Sequence, residues 1–92
     1  MASVSLTLIG KPGCHLCDDA REAIRGVLDD LAADASVAAP EVTVTELSIL
    51  DNPALMDEFV EEIPVVMIDG RVHTIWRVDQ ARLRTALLEA AS

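Results

Sequence analysis

The chain has 92 residues, 51% of them hydrophobic, which is enough for one small domain around one modest core. Sixteen acidic against seven basic side chains leave a net charge of −9, and Phe59 and Trp76 are the only large aromatic residues, which excludes a nucleic-acid-binding surface. No apolar run approaches the ~20 residues that span a bilayer, and Met1-Ala2-Ser3-Val4 has neither a basic leader nor a cleavage site. A cytoplasmic protein without membrane contact is expected.

Val4 to Ile9 is a short apolar, β-branched run ending at Gly10 and reads as a strand. Lys11-Pro12-Gly13 signals a turn. From His15 to Ala33 the spacing becomes helical, with Cys17, Ala20, Ile24, Val27, Leu28 and Leu31 on one face. Cys14 is left facing outward at the start of that helix. An Ala-rich connection, 32–40, leads to a second strand over Glu41–Ile49. Asp51-Asn52-Pro53 starts a short helix reaching about Val60, with an Asx cap and proline at the first helical position. Pro64 to Ile68 is an unbroken apolar strand, Asp69-Gly70 a two-residue hairpin turn, and Val72 to Trp76 the return strand. Asp79 caps a last helix through Leu83, Ala86, Leu87 and Ala90. The order β-α-β-α-β-β-α calls for an α/β fold with a mixed four-stranded sheet and helices on its faces.

Cys14-His15-Leu16-Cys17 holds the only cysteines. Two thiols three residues apart at a helix start can close a small disulfide ring. The first lies near the positive end of the helix dipole, which favours its thiolate. Lys11 and a protonated His15 push the same way, whereas Asp18 and Asp19 push against it. His15 is therefore a candidate modulator of Cys14, beside the plainer reading of a solvated side chain. Cys17, on the buried face, is expected to titrate higher and to act as the resolving thiol. A structural zinc ion wants four ligands, and only His15 and the distant His73 could join the cysteines, so no bound metal or cofactor is expected. Pro64 cannot donate to a ladder and belongs at a strand end or a special turn. A cis Ile63–Pro64 bond would leave the Ile63 backbone open to an extended substrate chain. Trp76 reads first as hairpin packing, His73 as structural or exposed, and Glu58, Glu61 and Glu62 as a solvated patch.

Strand, Cys-x-x-Cys at a helix start, a second βα unit, then Ile-Pro-Val-Val leading into a hairpin and a final helix resembles the glutaredoxin branch of the thioredoxin-fold family. The resemblance covers nearly the whole chain and is nearest to a divergent glutaredoxin-like subgroup of small bacterial proteins. It implies that Cys14 is the nucleophile, Cys17 the resolving thiol and Pro64 a cis-proline facing them. It also implies that Lys11 contacts the carboxylate of glutathione, the co-substrate. The activity implied is thiol–disulfide exchange with protein or low-molecular-weight disulfides and thiols, by a monomer. His15-Leu16 stands where the family commonly has Pro-Tyr, and Glu62-Ile63-Pro64 where it has Thr-Val-Pro. Trp76-Arg77 replaces a Gly-Gly pair that lets glutathione approach the backbone. Trp76 then obstructs that approach, while Arg77 supplies an anion contact. The alternative on the same fold is a non-catalytic module binding a metal or an iron–sulfur cluster.

Overall fold

Alternation of Val4, Leu6 and Leu8 with Ser3, Ser5 and Thr7 builds the first strand, β1 (Ser3–Gly10), in the computed structural model, which describes residues 2–92. It is followed by α1 (His15–Ala33), β2 (Glu41–Ser48), a single 3₁₀ turn (Ile49–Asp51), α2 (Pro53–Phe59), β3 (Val65–Ile68), β4 (Arg71–Ile75) and α3 (Gln80–Ala91). The sheet runs in the order β2-β1-β3-β4. β1 is parallel to β2 and antiparallel to β3, and β3 and β4 form an antiparallel hairpin. At the hairpin turn Asp69 and Gly70 both take positive φ, and the Asp69 carboxylate accepts the Ser5 N–H at 2.9 Å.

The pleat sorts the core into two layers. Val4, Leu6 and Leu8 of β1 and Val66 and Ile68 of β3 pack on Ala20, Ile24, Val27 and Leu31 of α1 and on Leu83 and Leu87 of α3. On the opposite face Ile9 and Val65 pack with Ile49 and with Phe59 of α2. Asp34, just beyond α1, pairs with Arg84 of α3 at 2.6 Å and ties the two helices together on their shared side. No helix of the described residues is long and apolar enough to cross a membrane.

Several boundaries differ from the sequence reading, each for a local reason. β2 stops at Ser48 because its hydroxyl accepts the Leu50 N–H at 3.1 Å and starts a 3₁₀ turn that drops Ile49 into the core. α2 ends at Phe59, with Val60 as its cap. β3 begins after Pro64, which has no N–H to give the ladder. β4 ends at Ile75, and Trp76 leaves the strand with φ +68. The β3–β4 register shifts between Val66 and Met67, leaving His73 as the extra residue of a bulge. β2 is a sheet edge, and Val44 and Leu47 remain 46% and 41% exposed.

Candidate active site

Gly13, at φ +71, turns the chain out of the Lys11-Pro12 loop and into α1. Cys14 is the N-cap of that helix in extended conformation, and its sulfur accepts the Cys17 N–H at 3.2 Å. A sulfur occupies the place usually held by a Ser, Thr, Asn or Asp oxygen, answering one of the unpaired donors of the first turn. Cys14 is half-buried and Cys17 is 1% exposed; both are free thiols. Cys17 rests on the end of β1, where a Cβ built on Gly10 would lie 2.8 Å from its sulfur. Only a residue without a side chain admits the helix at that distance. Burial pushes the Cys17 thiol up to about 11, and its hydrogen bond to the Cys14 sulfur acts in the same direction, while a backbone hydrogen bond from Lys11 opposes them.

The Ile63–Pro64 peptide bond is cis, and Pro64 is buried. The Pro64 carbonyl accepts the Trp76 N–H at 2.8 Å, and the Trp76 indole N–H donates to the Glu61 carbonyl at 3.0 Å. Trp76 thus braces the segment before the proline from two directions. The Ile63 backbone is only half open. Its N–H donates to the Phe59 carbonyl at 3.1 Å, whereas its own carbonyl accepts no hydrogen bond among the described residues.

The first turns of α1 have a cavity on each flank. On the β2 side, Lys11, Pro12, Cys17, Asp18, Arg21 and the end of β2 enclose about 270 Å³. Arg21 crosses it, holding Glu46 through two nitrogens at 2.6 and 3.1 Å and Asp18 at 2.8 Å. On the α3 side, Leu16, Asp19, Ala20 and Ala23 face Trp76, Arg77 and Val78 across about 190 Å³. No group of three or more His, Cys, Asp or Glu side chains that could hold a metal ion occurs among the described residues.

With this geometry in place the comparisons with known proteins are specific. The sequence profile of the glutaredoxin-like domain (DUF836) matches residues 5–88. The chain belongs to that family. An uncharacterized protein of Mycobacterium tuberculosis, Rv0508, is 32% identical over 84 residues, spanning 91% of this chain and 82% of that one. A glutaredoxin-like protein of Dictyostelium discoideum, named as a YDR286C homolog, is 28% identical over 83 residues, or 88% and 72% of the two chains. Among solved structures, a structural-genomics target from X. campestris, XcR50, superposes with a TM-score of 0.64 at 34% identity, covering 95% of this chain and 99% of that one. The first thioredoxin domain of mouse protein disulfide-isomerase A4 superposes at 0.61 with 17% identity, covering 97% and 64%, and shares the fold alone.

Within this glutaredoxin-like domain the candidate residues do not converge on one pocket. Trp76 and Arg77 share the α3-side cavity, while Lys11 lines the β2-side cavity with Cys17. Ile63 is half-buried beside Pro64. His15 is exposed, and its side chain makes no hydrogen bond or ion pair among the described residues. Trp76 is 54% exposed and is tied by hydrogen bonds to Pro64 and Glu61 at the base of the hairpin. His73 lines a separate cavity with Arg82 and Glu89; burial and then the Arg82 charge lower its pKa. Sequence reasoning passed over Gly10, Leu16 and Arg21. Leu16 left a usable signal, a large apolar residue on the outward side of the helix. Gly10 left another, a glycine where the strand meets the dithiol loop. For Arg21 the local spacing offers only its i,i+3 pair with Asp18; its second partner, Glu46, is 25 residues away and unmarked.

Proposed function

We propose that the protein is a thiol–disulfide oxidoreductase in which Cys14 attacks and Cys17 resolves. The observation that carries this reading is the unequal setting of the two sulfurs: Cys14 at the helix cap within reach of the Cys17 N–H, Cys17 buried behind it. The Cys14 thiolate attacks one sulfur of a substrate disulfide, forming a mixed disulfide and breaking the substrate S–S bond. The departing thiolate takes the Cys17 proton, which burial otherwise keeps on the sulfur. Cys17 then attacks Cys14, the mixed disulfide breaks, and the second substrate thiolate leaves. Two electrons have passed from the dithiol to the substrate, and the Cys14–Cys17 disulfide remains. An external thiol reductant returns it to the dithiol, with glutathione or a protein dithiol as the donor class. In this reading Pro64 flanks the bound substrate, as the family resemblance implies, and a reducing compartment such as the cytoplasm suits the cycle.

The test is a trapping experiment. The Cys17→Ser variant is expected to accumulate one equivalent of mixed disulfide on Cys14, seen as a mass increase by intact-protein mass spectrometry, without turning over. Cys14→Ser is expected to lose exchange altogether. A Cys14→Ser protein that still cycles, or a wild-type dithiol that never interconverts with the disulfide at biological potentials, overturns the reading.

A further inference from the structure

We propose that the cleft between α1 and the segment 76–78 seats one apolar side chain of a polypeptide substrate, next to the substrate cysteine attacked by Cys14. The proposal rests on the oxidoreductase reading and names the class of substrate for that site.

The cleft adjoins the dithiol because Leu16, one of its walls, lies between the two cysteines in the chain. Leu16 is 38% exposed and Trp76 54% exposed. A single exposed apolar residue needs no account, but two large ones lining one cleft along the first turns of the dithiol helix present a surface that gains from being covered. Trp76 is held there at a conformational cost. It takes φ +68, a region that a bulky residue enters only where its surroundings enforce it, and the bonds from its backbone to Pro64 and from its indole to Glu61 do so. The residue is fixed at the edge of the cleft.

Two further facts choose the occupant. A substrate strand laid against Ile63 finds a carbonyl but no N–H, because that N–H is already donated to Phe59. Main-chain pairing there is halved, so registering the substrate falls to a side chain. The volume of about 190 Å³ lies below the ~300 Å³ at which small-molecule pockets begin, which suits one medium side chain rather than a whole tripeptide. Leu16, Ala20, Ala23 and Val78 supply apolar wall, and Trp76, Asp19 and Arg77 complete the lining. At the rim, Asp19 and Arg77 are in no ion pair among the described residues and offset each other's charge. They can meet the N–H and C=O of a peptide backbone that flanks the seated side chain.

The experiment compares kcat/KM for two end-blocked peptide disulfides that differ only in Leu or Gly beside the cysteine, with hydroxyethyl disulfide and a glutathione mixed disulfide alongside. Wild type is expected to favour the leucine peptide by about tenfold, the discrimination available from seating one medium hydrophobic side chain. Trp76→Gly, which relieves the left-handed backbone, and Leu16→Ser, on the open helix face, are each expected to bring that ratio close to one. Turnover of hydroxyethyl disulfide with no leucine preference in wild type overturns the cleft and leaves the redox reading standing. So does a preference that survives in both variants, or a glutathione mixed disulfide that outperforms both peptides. Failure to exchange with any of the four substrates removes the redox reading and the cleft with it.

Discussion

Cys14 and Cys17 are separated by two residues yet are held by different parts of the molecule. Cys14 is fixed locally, by the cap of its own helix and the N–H three residues on. Cys17 is fixed at long range, by burial against β1 and the bare backbone of Gly10. The two halves of an exchange cycle therefore depend on different contacts and can be disturbed one at a time. A change at the helix start reaches the attacking sulfur; a change at the end of β1 reaches the resolving one.

The strongest way to break this contrast is Gly10→Val. Its Cβ meets the Cys17 sulfur well inside contact distance, and overpacking of this kind costs about 1–3 kcal/mol. In a domain of this size each kcal/mol lowers Tm by about 4–8 °C, which calorimetry reads directly. Release of the mixed disulfide should slow, while its formation on Cys14 persists. A Gly10→Val protein with unchanged Tm and unchanged release would show that the close approach holds nothing in place.

A second test uses pH. The folded chain keeps the Cys17 proton up to about pH 11, whereas an unperturbed thiol loses it near 9. Above that lower value the unfolded state binds fewer protons than the folded one, so stability falls as pH rises from about 9 towards 11. The loss for the reduced protein is on the order of 3 kcal/mol. Denaturant titrations at stepped pH should show it in wild type and not in Cys17→Ala. Equal pH slopes in the two proteins would mean that burial does not hold the proton.

The smallest effect belongs to Arg21→Ala. Its ion pairs with Asp18 and Glu46 have side chains 41–59% exposed, and such pairs contribute about 0–1 kcal/mol. The expected change is a Tm shift of at most a few degrees that fades with added salt, together with a wider β2-side cavity beside Cys17. A large, salt-independent loss would show that this flank matters to the resolving sulfur as much as Gly10 does.

Element order and the inward and outward parts of the cysteines were legible because each rests on local pattern. The helical spacing that puts Cys17 in line with Ala20, Ile24 and Val27 is the spacing that buries it. Asn52-Pro53 and Asp79 cap their helices through short-range hydrogen bonds that the residues themselves announce. What was not legible depends on neighbours distant in the chain. The residues of β2 announce a strand but not its place in the sheet, and Val44 stays exposed on the edge strand. Trp76 carries no local signal for a left-handed backbone; its conformation follows from its bonds to Pro64 and Glu61. The Ile63 N–H looked open because nothing near it foretold that the end of α2 would claim it.

No polar or charged side chain is buried among the described residues. Cys17 is thus the one group of the interior able to exchange a proton or an electron. Everything around it is chemically inert and answers only to volume and shape. Hydrophobic replacements elsewhere in the core change how firmly the chain folds and leave its chemistry alone, unless they displace that sulfur. Interior positions that touch neither that sulfur nor Pro64 are therefore free to drift in sequence without consequence for the reaction.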